Sequence, residues 1–302
     1  MNRLKSTGMH RRKFIGTMAG VVGAAMVPAV PFSARAQRTP LTVQQVIDRI
    51  IAKIPGGALS QTVDTIKAGN PDQPVKGIVT TMFATVDVIK KCAALNSNFI
   101  IAHEPTFYNH MDETEFLNDD DVYRYKINLL REHGIAVWRF HDYLHRHRPD
   151  GVYMGVLQKM GWEQHYVESS VLVTLPETPL EDIIRRANER LGIHAVKVVG
   201  EPGHLCRRVA VMPGAWGGRA HLSMMKREKP DLLICGEVNE WETTEYIRDA
   251  RAMGMKTSLI VLGHVLSEEP GMEWVAPWLK PIVGDIKVTH IPSEDPYSKV
   301  LG

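Results

Sequence analysis

The sequence contains few cysteines. The three present, Cys92, Cys206 and Cys235, fall on apolar helix or strand patterns. A disulfide framework uses an even number of cysteines in a short secreted chain, so we expect small buried hydrophobic side chains instead. A single disulfide stays open as an alternative in an oxidising compartment. Stability must therefore come mainly from a hydrophobic core, for which 302 residues with 44% hydrophobic content are sufficient.

Acidic residues are absent from residues 1–36, a segment that contains six lysines and arginines. Removing these six from the 36 Lys and Arg leaves 30 against 34 Asp and Glu, a formal net charge of −4 for residues 37–302. A protein segment with a negative net charge is a poor electrostatic match for the phosphate backbone of nucleic acids. The charge balance therefore excludes nucleic-acid binding as the expected function.

The N-terminal segment is only weakly apolar. Arg11-Arg12-Lys13 precedes a Gly- and Ala-rich stretch interrupted by Pro28, and Ala34-Arg35-Ala36 follows. This order is typical of a cleaved export signal, and the paired arginines resemble the twin-arginine signal. A membrane anchor is the alternative, but the stretch is barely long enough to span a bilayer. We expect a twin-arginine signal peptide at 1–36 and a periplasmic mature chain without stable membrane insertion.

Short apolar runs alternate with helical patterns throughout residues 37–302. Regular βα alternation is typical of an α/β fold with largely parallel or mixed sheets covered by helices. We predict one domain over 37–302 that contains two related α/β lobes, at roughly 37–165 and 205–302. The segment 166–204 is expected to connect them.

The apolar run Phe99–Ala102 leads directly into His103 and Glu104, and Pro105 follows. Proline has no N–H to donate to a neighbouring strand, so it ends the strand here. In open α/β sheets, ligands bind outside the carboxyl ends of strands. We therefore expect a ligand site at the end of this strand.

Three further predicted strands end in side chains capable of chemistry: His141, Asp142 and His145; Glu237; and His264 and Glu268. One histidine at a strand end is more often structural or solvated, and 141–147 could be only a polar loop. His264 and Glu268 are four residues apart, so they can face one point at the entry to a helix predicted at 267–279 with Ser267 as N-cap. Imidazole and carboxylate are ligands that zinc, manganese and iron accept.

Five strings of the sequence resemble the NIF-three-like dinuclear metal-centre family, once named type 2 GTP cyclohydrolase I. They follow the family's order and lie at Val63–Gly69, Ile78–Thr81, Ile101–Pro105, Cys235–Glu237 and Gly263–Glu268. The resemblance covers most of residues 40–295, and the Gly-His-x-x-x-Glu string together with the His-rich strand end before a proline is fairly specific. It implies an α/β fold with a two-metal site and assembly of a homo-oligomer as a ring-shaped hexamer.

The resemblance also implies a ligand set. Matched position by position, the ligands are His103, Glu104, His145, His264 and Glu268. Glu104 stands where the family has a second histidine, and His145 stands where it has an aspartate. Three imidazoles and two carboxylates remain, so one or two divalent cations (zinc, manganese or iron) are expected. A neutral imidazole offers one lone pair to one metal. The ligand that bridges two metal ions would therefore be the carboxylate of Glu268 or Glu104.

These features favour an exported metal-dependent hydrolase with an unknown small-molecule substrate, in which the metal activates water. His141 and Glu237 are the candidates for proton transfer or for orienting the ligands, and Asp142 is a reserve ligand. A non-catalytic metal-binding or scaffold protein of the cell envelope is the alternative, because the two ligand substitutions fit either function. GTP is not the expected substrate, since the chain is predicted to leave the cytoplasm.

Overall fold

The computed structural model describes residues 40–297, so the predicted signal at 1–36 lies outside the described residues. The described part of the chain forms two five-stranded mixed sheets covered by helices. This architecture confirms the predicted α/β class. Between residues 40 and 297, no helix is both long and apolar enough to cross a membrane.

The strands of residues 40–297 form two sheets of similar construction. They are β1 (Ile66–Ala68), β2 (Gly77–Thr81), β3 (Phe99–Ala102), β4 (Ala136–Arg139), β5 (Leu172–Pro179), β6 (Lys197–Val199), β7 (Leu205–Met212), β8 (Leu232–Cys235), β9 (Ser258–Val261) and β10 (Lys287–His290). The first sheet has the order β1-β4-β3-β2-β10, and only β1 is antiparallel to its neighbour. The second has the order β5-β7-β8-β9-β6, with antiparallel strands at both edges. Residues 166–204 thus supply β5 and β6 to the second sheet.

Helices alternate with these strands along the chain. They are α1 (Val43–Ile51), α2 (Val86–Ala94), α3 (Asp121–Glu132), α4 (Asp142–Arg146), α5 (Gly151–Met160), α6 (Leu180–Leu191), α7 (Gly218–Glu228), α8 (Glu245–Ala252) and α9 (His264–Val283). Short 3-10 turns lie at Glu115–Leu117 and Glu163–His165, and a π-helical turn at Glu240–Thr244 leads into α8.

Three local features differ from the sequence-based expectation. The short edge strand β1 was not predicted, and α4 takes the place of the polar loop considered for 141–147. The prediction of Ser267 as a helix N-cap was wrong, because Gly263 is the N-cap and α9 begins at His264. Gly263 has a φ of +91°, a conformation that suits glycine and turns the chain sharply from β9 into the helix.

Each sheet is buried on both faces. In β3, Phe99 and Ile101 face a cluster that includes α1 and α9, whereas Ile100 faces α2 and α3. Helices α5 and α6 cover one face of the second sheet, and α7 and α8 cover the other. Burial on both faces is the reason why the central strands are continuous apolar runs. The three cysteines are free and buried, as expected.

Helices α5 and α9 join the two cores. Met272 and Val275 of α9 belong to the core of the first sheet, whereas Val156 of α5 belongs to that of the second. The two helices approach closely at Gly271, where a Cβ atom would lie 2.6 Å from the Cα of Val152. This close approach holds the start of α9 at a fixed position between the sheets.

Replacing Gly271 with alanine should destabilise the protein. Overpacking costs about 1–3 kcal/mol, and the upper part of that range applies because a backbone atom cannot move aside as a side chain can. The gain in helix propensity is only about 1 kcal/mol, so the free energy of unfolding should fall by about 1–2 kcal/mol in chemical denaturation. Gly203→Ala is the control, because no atom lies within 4 Å of its added Cβ. An unchanged stability of Gly271→Ala would contradict the close packing.

Candidate metal centre

Parallel strand register brings the predicted strand ends together in pairs. Ala102 at the end of β3 pairs with Arg139 at the end of β4, so His103 and His141 emerge from the same edge of the first sheet. Cys235 and Val261 are paired in the same way in β8 and β9. Glu237 and His264 therefore follow neighbouring strand ends in the second sheet. Helix α9 starts there and packs against the first sheet.

The carboxylate of Glu268 lies at the centre of the cluster and is only 3% exposed. Its Oε2 atom is 3.0 Å from Nε2 of His264 and 3.5 Å from Nε2 of His103. The Oε1 atom of Glu104 lies 3.6 Å from the same Nε2 atom of His264. Four of the five predicted ligands thus converge on one point from two separate segments, the end of β3 and the start of α9.

His145 and His141 complete the cluster. The ring centroids of His103 and His145 are 5.1 Å apart, and those of His103 and His141 are 4.8 Å apart. One potential ligand atom from each of these three histidines lies within 4.8 Å of the others, and the same holds for His103, Glu104 and Glu268. The structure therefore brings together all five predicted ligands. It also places His141, predicted only as a proton-transfer or orienting residue, among the potential ligands.

All four imidazoles are held in the same way. Each Nδ1 atom faces an oxygen that accepts a hydrogen bond: the carbonyl of Phe140 for His103 (3.1 Å), Asp142 for His141 (2.9 Å), Asp150 for His145 (2.9 Å) and Glu237 for His264 (2.8 Å). These acceptors fix the proton on Nδ1 and leave Nε2 for the interior of the cluster. Metal-bound histidines show this arrangement, in which the outer hydrogen bond sets the tautomer and the ring orientation.

A divalent cation fits these residues. Within the described part of the chain, Nε2 of His103 is buried without a hydrogen-bond partner, which is unfavourable unless a ligand satisfies it. Imidazole nitrogens and carboxylate oxygens are suitable donors for zinc and similar metals. Gly214, with a φ of +74°, leaves the space beside the Glu268 carboxylate that a Cβ atom would fill. One or two cations would be held by His103, Glu104, His145, His264 and Glu268, with Nε2 of His141 beside them, 3.7 Å from Oε1 of Glu104.

Protons occupy the cluster when no metal is bound. Burial disfavours the charged forms of His103 and His264, but Glu268 and Glu104 outweigh it and raise the pKa of His103 to about 9 and of His264 to about 11. Burial also opposes ionisation of Glu268, yet the two imidazoliums hold its pKa well below its usual range. Burial and the neighbouring His103 and His145 lower the pKa of His141 to about 4, so this imidazole stays neutral at pH 7.

Three residues that sequence reasoning missed support the cluster. Arg139 is fully buried and its Nη2 atom lies 3.3 Å from Oε2 of Glu104. Asp150 orients His145, and Asp64 accepts hydrogen bonds from the backbone N–H groups of residues 141 to 143. The position of Arg139 inside an apolar strand pattern could have identified it from the sequence as a buried polar residue near the site. Asp64 and Asp150 show no such sequence signal, because only the folded structure brings them to their partners.

Asp142 does not point into the cluster. One of its oxygens accepts hydrogen bonds from the Thr62 hydroxyl (2.8 Å) and from the backbone N–H of Val63 (3.1 Å), and the other faces Nδ1 of His141. The carboxylate therefore orients His141 and does not serve as the reserve ligand considered from the sequence. Glu237 is half-exposed and holds His264 from the solvent side.

Comparison with known proteins gives one consistent result. Residues 42–296 match the sequence profile of Duf34/NIF3 (NGG1p interacting factor 3). A Chlamydia muridarum protein named GTP cyclohydrolase 1 type 2 homolog is 22% identical over 241 residues, which cover 77% of this chain and 90% of that protein. Staphylococcus aureus hypothetical protein SA1388 has a similar structure, with a TM-score of 0.70 and 18% identity over 87% of this chain and all of that one. A Bacillus cereus protein related to NIF3 gives a TM-score of 0.67 with 13% identity over 87% of this chain and all of that one.

Removing the central carboxylate should weaken metal binding. We expect Glu268→Gln to lower the affinity for zinc by at least about tenfold, because a neutral amide replaces an anionic donor that faces two of the imidazoles. Glu273→Gln is the matched control, since Glu273 lies on the same helix and makes an exposed ion pair with Lys159. Competition with a chromogenic chelator measures both affinities. Equal affinities would contradict the assignment of Glu268.

Metal binding should release protons at neutral pH. His103 and His264 carry protons at pH 7 in the metal-free protein, since both pKa values lie above 7, and a metal must displace those on Nε2. Up to two protons per cluster should appear when zinc binding is measured calorimetrically in buffers of different ionisation enthalpy. The apparent affinity should rise with pH between 6 and 9. An affinity that is independent of pH and buffer would be inconsistent with these ligands.

Proposed function

Because the chain belongs to the Duf34/NIF3 family, we propose that its His/Glu cluster is a metal centre and that the protein is a metal-dependent hydrolase. The observation that carries this proposal is the common orientation of four imidazoles, each with Nδ1 bound by an outer acceptor and Nε2 turned inward. Structural ion-pair networks do not require such a shared orientation. Two carboxylates, Glu104 and Glu268, supply the negative charge that divalent cations need.

A bound divalent cation lowers the pKa of coordinated water and polarises a substrate oxygen, which suits hydrolysis of a phosphoester, carboxyl ester or amide. The residues of the chain provide the remaining functions. His141 is neutral at pH 7 and has Asp142 on its Nδ1 atom, so its Nε2 atom can accept a proton inside the cluster. Glu237 positions His264 through the Nδ1 atom of that histidine, and the outer side of the Glu237 carboxylate is exposed to solvent.

A cavity beside the cluster favours an enzyme over a closed metal-storage site. It has a volume of about 270 Å³, and His145 forms part of its wall. A substrate in this cavity would therefore contact the cluster at His145. A non-catalytic metal-binding or scaffold protein is the competing function, favoured by the presence of Glu104 and His145 where the family pattern has other ligands.

The proposal includes export and self-assembly. The basic, weakly apolar segment 1–36 supports export by the twin-arginine route to the periplasm. Folding before export would let the protein acquire its metal in the cytoplasm. Similarity to the family supports a homo-oligomer, with the hexamer as the expected form.

Hydrolysis should depend on metal and on His141. We expect the full chain, loaded with zinc, manganese or iron(II), to cleave members of a panel of chromogenic phosphoesters, carboxyl esters and amides, and to lose activity after chelation. His141→Gln should lower kcat by about 10²–10⁴-fold, the usual range for a proton-transfer group, while metal content stays the same. Glu273→Gln again serves as the control.

Two results would contradict this account. A metal-loaded protein that cleaves no member of the panel would favour the non-catalytic metal-binding protein. A loss of metal from His141→Gln in parallel with the loss of activity would make His141 a ligand and would contradict its role in proton transfer. Elemental analysis of each variant distinguishes the two cases.

A further inference from the structure

The cavity beside the metal centre has an aromatic wall. We call it the aromatic pocket, and its defining residues are His145, Arg148, Tyr153, Tyr166 and Trp216. Its volume of about 270 Å³ is slightly below the range of about 300–1,000 Å³ that is usual for drug-sized ligands. The pocket therefore suits a small compound with a single ring. Because His145 belongs to both sites, such a compound would lie against the metal centre at His145.

The hydroxyl of Tyr153 lacks a protein partner. Tyr153 is 7% exposed, and its oxygen is buried without a hydrogen bond to any residue between 40 and 297. Burying a hydroxyl without a partner is unfavourable, and native structures rarely do so without a reason. Tyr153 lines the aromatic pocket, so a polar substituent on a bound ligand would satisfy this hydroxyl once the ring turns it toward the cavity.

The other aromatic side chains form a surface on which a flat ring can pack. The rings of Tyr153 and Tyr166 have centroids 6.1 Å apart and are tilted by 54°. Trp216 contributes an indole that is 49% exposed. Aromatic rings gain from offset or edge-to-face packing as well as from burial of apolar area. A ring in the pocket would cover surface that is now open to solvent.

Arg148 adds positive charge to the part of the pocket next to His145. Its Nη1 atom donates to the carbonyls of His145 (3.1 Å), Arg146 (3.2 Å) and His147 (3.0 Å), which fixes the guanidinium beside α4. Its Nε and Nη2 atoms have no acceptor among the described residues. Planar donors of this kind bind oxyanions well. Asp150 also lines the pocket, but its carboxylate already accepts from Nδ1 of His145 and from the N–H groups of Val152 and Tyr153. Together with a cation in the cluster, Arg148 therefore favours an anionic reacting group.

We propose, on the basis of the metal centre in the proposed function, that the aromatic pocket selects aryl phosphomonoesters with a polar substituent on the ring. The ring packs against Tyr166 and Trp216, the substituent bonds to the Tyr153 hydroxyl, and the phosphoryl group lies toward Arg148 and the cluster. In the hydrolysis, the oxygen of water bonds to phosphorus as the bond from phosphorus to the aryl oxygen breaks. A proton from water passes to the aryl oxygen, and the products are a phenol and inorganic phosphate.

Binding of unreactive phosphonates tests the pocket separately from catalysis. Calorimetry on the zinc-loaded full chain would compare methylphosphonate, phenylphosphonate and (4-hydroxyphenyl)phosphonate. We expect phenylphosphonate to bind at least about tenfold more tightly than methylphosphonate, because a ring buries aromatic and apolar area. The hydroxyl compound should bind several-fold more tightly again, because it can pair with Tyr153.

Variants assign these differences to particular side chains. Trp216→Ala should reduce the preference for a ring to less than about threefold, whereas Trp241→Ala, which removes an exposed tryptophan outside the pocket, should leave it unchanged. Tyr153→Phe removes only the unpartnered hydroxyl. It should abolish the preference for the hydroxyl compound and leave the affinity for phenylphosphonate as it is, with no loss of thermal stability.

The outcomes separate this inference from the proposed function. Three results would contradict the proposed selectivity of the aromatic pocket. They are equal affinity for all three phosphonates, no binding of either ring compound, and equal effects of Trp216→Ala and Trp241→Ala. Hydrolysis of phosphoesters without a preference for aryl compounds would also contradict this selectivity and leave the hydrolase standing. Binding that depends on the ring and on Tyr153, in a protein that cleaves no ester, would support the pocket and contradict the hydrolase.

Discussion

A buried carboxylate is the interaction on which the rest of the site depends. Glu268 is 3% exposed, and its pKa is held below its usual range by two imidazoles from different parts of the chain. An isolated buried charge costs several kcal/mol, and positive charge at close range must offset that cost. His103 and His264 supply it as imidazoliums, or a cation supplies it between them. The same geometry serves both states, so the protein can fold with protons in place that a metal later displaces.

This arrangement requires the two sheets to meet at one point, and α9 provides the connection. The helix starts at the carboxyl end of β9 in the second sheet, and its later residues pack into the core of the first. Its first two turns therefore carry His264 and Glu268 across to His103 at the end of β3. The close contact between α5 and Gly271 fixes the helix along its length. The positions of the ligands thus follow from helix packing in addition to local strand geometry.

Much of the fold could be predicted because the central strands are apolar runs bounded by glycine or proline. The residues at the centre of the site could be predicted, since His103, Glu104, His264 and Glu268 follow apolar strands and match the strings that resemble the family. Their meeting across two sheets depends on the packing of α9. The short strand β1 was missed because three half-buried residues at an edge carry little periodic signal. Ser267 was misassigned because it has the chemistry of an N-cap, whereas its hydroxyl donates to the carbonyl of His264 and accepts from the N–H of Gly214. The supporting carboxylates Asp64 and Asp150 contact the site only through the tertiary structure, and no local sequence pattern encodes such contacts.

The central claim is that the inward Nε2 atoms and the Glu268 carboxylate coordinate a metal. The most direct measurement is anomalous diffraction at the zinc edge from crystals of the zinc-loaded protein. The account predicts one or two peaks inside the cluster, with Nε2 of His103 and His264 about 2.0–2.1 Å from a metal and an oxygen of Glu268 at about 2.0–2.2 Å. A cluster without a peak, or zinc bound only by histidines elsewhere on the surface, would contradict it.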